Sequence, residues 1–76
     1  MPGRMPRVTA DEVLRALSRD GWSVTRQSGA QAILRHPTKP GRVVVPIHRS
    51  RTLKIGTMSS ILTQAGLTPD EFGRLL

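Results

Sequence analysis

The feature that most narrows the fold of this chain is a pair of short alternating runs that meet at a glycine. In residues 22–27, Trp22 and Val24 fall on one side and Ser23, Thr25 and Gln27 on the other. In residues 30–36, Ala32 and Leu34 share one face and Gln31, Ile33 and Arg35 the other. Each run has the period of two expected of a half-buried strand, and Ser28-Gly29 between them predicts a hairpin turn. The residue just past that turn starts the second strand with its side chain outward. A second group of breakers, Pro37-Thr38-Lys39-Pro40-Gly41, leads into a β-branched third strand at residues 42–46. Pro46 lacks a ladder donor, so it belongs at the strand's end or on an edge.

Helices bracket the strands. Thr9-Ala10-Asp11-Glu12 reads as a capping box opening a helix to about Asp20, with Ala10, Val13, Leu14 and Leu17 as its apolar stripe. Gly21 ends it in the left-handed position. After a basic loop over residues 47–56, Thr57 is the expected cap of a second helix, with Met58, Ile61, Leu62 and Ala65 facing the core and Gly66 closing it. Thr68-Pro69-Asp70-Glu71 is a further capping box, opening a short helix with Phe72, Leu75 and Leu76 on its apolar side. The predicted architecture is α+β, in the order α-β-β-β-α(-α), with a three-stranded antiparallel sheet and the helices on one face. That order is the one found in double-stranded RNA-binding domains. Residues 1–8 read as a flexible extension, with Met5-Pro6-Arg7 as a natural start, and residues 9–76 as one domain.

Charge is distributed unevenly along the 76 residues. The formal net charge is +7, and residues 21–69 carry seven cations and no carboxylate. Elsewhere acids and bases balance. A surface of this kind suits phosphate backbones. The chain has no cysteine, which excludes disulfides and thiolate metal sites and fits a reducing, cytoplasmic setting. No apolar run reaches the roughly 20 residues of a membrane span, and no signal-peptide pattern follows the basic N-terminus. His36 and His48, without acidic neighbours, make a poor metal site. His36 precedes Pro37 and reads as a turn residue. The serines lack base and acid partners for acyl transfer.

Three stretches carry a family resemblance. Residues 26–37 (RQSGAQAILRHP), Val45-Pro46-Ile47-His48 with the basic loop after it, and residues 54–67 (KIGTMSSILTQAGL) together resemble the HicA toxins over residues 9–76. The resemblance implies a type II toxin–antitoxin mRNA interferase, an endoribonuclease held inactive by a HicB-like antitoxin. It implies catalysis by a histidine at the start of the second strand, without metal or other cofactor. In this chain Gln31 stands at that position. A carboxamide does not titrate near neutral pH and cannot shuttle a proton, so this chain is expected to be catalytically inactive. Either a deliberate substitution or a naturally degenerate copy fits. Arg26, Gly29, Arg35, Arg42, His48, Arg49, Arg51 and Lys54 are the expected RNA contacts, and the antitoxin is expected to cover the Gln31 face. The alternative is a non-catalytic RNA-binding module.

Overall fold

The structure, a computed structural model, describes residues 5–47 and 51–76. Helix α1 spans Ala10–Arg19, strands β1, β2 and β3 span Ser23–Ser28, Gln31–Arg35 and Val43–Pro46, and helices α2 and α3 span Ile55–Ala65 and Pro69–Gly73. The sheet is antiparallel with order β1-β2-β3, so the predicted element order holds.

Two helices begin where a capping box dictates. The Thr9 hydroxyl accepts from the Glu12 N–H at 3.3 Å, and the Glu12 carboxylate accepts from the Thr9 N–H at 2.9 Å. Thr68 and Glu71 repeat the arrangement at α3. Each carboxyl is held below its ordinary range, first by the backbone N–H of its partner threonine and then by that threonine's hydroxyl. Helix α2 differs from expectation. It starts at Ile55, with Lys54 as an N-cap that makes no side-chain bond, and Thr57 lies inside the first turn. Gly66 ends it at φ 69°, as anticipated.

One face of the sheet is covered. Ala32, Leu34, Val43 and Val45 are buried with Val13, Ala16 and Leu17 of α1, and with Met58, Ile61, Leu62 and Ala65 of α2. Ala16 takes the buried place expected of Leu14, which is only partly buried. Phe72 closes the core from α3. Residues 5–8 form neither helix nor strand, yet Val8 is a core residue and its carbonyl accepts from the Leu53 N–H at 2.9 Å. The packed unit therefore takes in Val8.

β1 departs most from strict alternation. Every residue of it is exposed, Val24 by 47 %, while Trp22 just before it is buried. Both main helices pack chiefly over β3, so the β1 edge extends past their cover. The ladder also carries an irregularity between Val24 and Arg26: Val24 pairs with Leu34 but Arg26 with Ile33. A period of two counted from Trp22 puts Arg26 on the core side. The extra residue, Thr25, shifts Arg26 onto the face of Ile33, the uncovered one.

The chain closes at Asp20. The peptide oxygen of Asp20 lies 2.6 Å from His36 Nε2, and Asp20 Oδ2 accepts from Lys39 Nζ at 2.6 Å and Trp22 Nε1 at 3.2 Å. His36 Nδ1 accepts from the N–H groups of Thr38 and Lys39, so Nε2 carries the proton and donates to Asp20. The imidazole also meets the Trp22 ring edge-on at 5.2 Å. His36 is thus a turn-fixing residue. Gly21 is required beside it: φ is 105°, and a Cβ there would lie 2.6 Å from His36 Nε2. Substituting Gly21→Ala is expected to cost about 2 kcal/mol and lower the thermal midpoint by roughly 10 °C. Thermal unfolding followed by circular dichroism measures this, and an unchanged midpoint would contradict the packing described.

Candidate nucleic-acid interface

Pairing across the sheet defines its uncovered face row by row. Ser28, Gln31 and Pro46 stand side by side in the first row, Arg26, Ile33 and Val44 in the second, and Ser23 and Arg35 in the third. Continuing the β2–β3 register places Arg42, one residue before β3, level with Arg35. At about 3.3 Å per residue, successive rows lie roughly 6.6 Å apart. Arg26 is therefore a diagonal neighbour of Gln31, while Arg35 and Arg42 lie roughly 13 Å further along the face.

Gln31 is the first residue of β2 and is exposed. The turn that presents it is Gly29-Ala30, one residue later than Ser28-Gly29, because Ser28 pairs with Gln31. Gly29 has φ 55°, a conformation that disfavours side chains, and open space surrounds the place of its absent Cβ. The Ala30 carbonyl accepts from the Ile47 N–H at 2.6 Å, which ties the hairpin tip to the chain leaving β3.

A second cationic group lies at the Gln31 end of the sheet. Pro46, the cross-strand neighbour of Gln31, helps line a cleft of about 330 Å³ with Arg51, Thr52, Leu53, Lys54 and Thr57. The cleft's walls thus belong to the chain after β3 and to the first turn of α2. Of the residues expected to contact a polyanion, Arg26, Gly29, Arg35 and Arg42 are placed on or around the sheet face, and Arg51 and Lys54 at this cleft. His48 and Arg49 lie outside the described residues.

Two side chains in this region were not expected from sequence. Ser28 is directly opposite Gln31, and Thr57 lines the cleft rather than capping α2. Correct placement of the turn would have revealed Ser28. Lys39, although it belongs to the acid-free tract, is not part of the face: its ammonium is bound to Asp20 and to the Ala65 carbonyl. The Arg35 guanidinium donates to the Gly41 carbonyl at 3.1 Å, which orients it and leaves its remaining N–H groups for a ligand. Among the described residues, no three His, Asp or Glu side chains group as a metal site, and no helix is long and apolar enough to cross a membrane.

The architecture and this face define a small α+β domain with an open three-stranded sheet, cationic on its uncovered side. The family model described as "HicA toxin of bacterial toxin-antitoxin" matches residues 10–67. The chain belongs to the HicA toxin family, whose members work in toxin–antitoxin pairs. Compared with curated proteins, it has no significant match.

Exposure of Gln31 next to a buried Ala32 can be checked directly. Gln31→Ala is expected to change stability by less than about 0.5 kcal/mol, whereas Ala32→Gln, an unsatisfied amide in the core, costs about 3 kcal/mol or more. Denaturant titrations of the two variants measure this, and comparable losses would place Gln31 in the interior.

Proposed function

We propose that this protein is a HicA-type mRNA interferase scaffold whose uncovered sheet face holds RNA, with the position of Gln31 as the catalytic one. The observation that carries this reading is the placement of an exposed residue 31 at the start of β2, with Arg26 diagonal to it on the same face. RNA strand scission by transesterification needs a base for the 2′-hydroxyl and a proton for the departing 5′-oxygen. It also needs cations for the charge that builds on phosphorus. An imidazole at position 31 supplies both proton steps: it takes the 2′-hydroxyl proton as the new O–P bond forms and returns it as the P–O5′ bond breaks. Neither metal nor cofactor enters this scheme. In this reading Arg26 meets the reacting phosphate, and Arg35, Arg42, Arg51 and Lys54 hold the chain on either side.

Gln31 reaches as far as histidine and hydrogen-bonds, but it does not exchange protons in this range. The protein as it stands binds RNA in this reading without cutting it. The same cationic face attracts carboxylates, so an acidic HicB-like antitoxin covers Gln31 and excludes RNA. A site of action among mRNAs places the protein in the cytoplasm.

Restoring the base tests the reading. Gln31→His is expected to raise the rate of RNA cleavage by about 100-fold or more over the Gln31 protein, and to arrest growth on induction unless the antitoxin is co-expressed. Total RNA and colony counts are the measurements. A soluble, folded Gln31→His protein that leaves RNA and growth untouched overturns the nuclease reading. If it still binds RNA, a non-catalytic RNA-binding module remains.

A further inference from the structure

Resting on the RNA reading above, we infer that the sheet face grips RNA chiefly through its sugar–phosphate frame and does not hold bases by aromatic stacking. Proteins that hold unstacked bases on a sheet do so chiefly with exposed aromatic rings, on which each base stacks, and secondarily with arginine guanidinium planes. This chain has one tryptophan, one phenylalanine and no tyrosine. Trp22 is 1 % exposed and Phe72 is fully buried. Both belong to the core beneath the opposite face. At the centre of the uncovered face stand Ile33 and Val44, half-buried aliphatic side chains, in the place where an RNA-stacking sheet would present its rings.

Among the described residues, groups other than arginine that read base edges are also scarce on the face. Carboxamides and carboxylates do most of that work besides arginine. The chain contains no asparagine, and no acid falls within residues 21–69. Of its three glutamines, Gln64 is occupied: its Oε1 accepts from the Val44 N–H at 2.9 Å and its Nε2 donates to Ser60 Oγ at 3.0 Å. Gln27 pairs with Ala32 and so belongs to the other side of the sheet. Gln31 itself occupies the reactive position. Thr25 Oγ1 donates to the Ile33 carbonyl. Among the described residues, what the face offers a ligand is Arg26, Arg35 and Arg42 with the hydroxyls of Ser23 and Ser28 and the Gln31 amide. Guanidiniums and hydroxyls are partners for phosphate oxygens and 2′-hydroxyls. Site selection by such a surface draws on the shape and accessibility of the backbone more than on base stacking.

RNA with bases removed separates the two modes of recognition. The protein, with Gln31 retained, is titrated by fluorescence anisotropy against a short labelled single-stranded RNA. The comparison ligands are the same RNA with its central positions abasic, and RNAs of the same length with permuted sequence. Affinities are expected to agree within about threefold throughout, with log K falling linearly in log salt at about 0.7 per phosphate neutralised. The double variant Arg26→Ala/Arg35→Ala is expected to weaken intact and abasic RNA by the same factor. A loss of about tenfold or more on removing the bases, of the size that stacking confers, overturns the inference and leaves the RNA reading in place. So does an effect of the arginine variant confined to intact RNA. Failure to bind any of these RNAs overturns the RNA reading and this inference together.

Discussion

The structure depends on how Asp20 ends the first helix. Its peptide oxygen takes the His36 N–H, and its carboxylate takes Lys39 and the Trp22 indole. Lys39 in turn reaches the last residue of α2 at the Ala65 carbonyl. One residue thus ties the end of α1, the approach to β1, the exit of β2 and the end of α2. The ion pair alone is a partly exposed contact of small worth. Its weight comes from the ring beside it: His36 is oriented by two backbone donors on one nitrogen and packs edge-on against a buried indole. With both ends of the β1–β2 hairpin fixed in this way, the register that sets Gln31 opposite Ser28 has little freedom to slip.

The same geometry gives the uncovered face its charge. Trp22 must enter the core and Arg26 must leave it, although they stand four positions apart and a regular strand would set both on one side. Thr25 resolves the conflict as an extra residue in the ladder. The two sheet edges are treated differently. On β3 the Val44 N–H is taken by the Gln64 side chain and Pro46 has no N–H to offer. β1 is irregular and arginine-bearing, and both features discourage pairing with a second sheet. The consequence is a sheet whose flat surface, more than its edges, is offered to a partner.

Much of this was legible in the chain itself. The capping boxes at Thr9 and Thr68 are local and appeared as read, as did the alternation that buries Ala32 and Leu34 and exposes Gln31 and Arg35. The rest depends on contacts between residues far apart. Thr57 resembles a helix cap, but α2 starts earlier, at Ile55, after a Lys54 that makes no side-chain cap bond. Val24 has the pattern of a buried residue and is exposed because the helices lie over β3. Lys39 belongs to the acid-free central tract, yet a carboxylate 19 residues earlier neutralises it. The turn fell one residue later than the Ser-Gly pair implied, and that single step brought Ser28 beside Gln31.

In the function proposed above, RNA lies on the uncovered sheet face. Backbone amide spectra of the isotope-labelled protein, recorded during titration with a short RNA, test this most directly. The account predicts that shifts concentrate at Arg26, Ser28, Gln31, Ile33 and Arg35, with further changes at Arg51 and Lys54. Shifts gathered instead on the exposed surfaces of α1 and α3, with residues 26–35 unmoved, would contradict it.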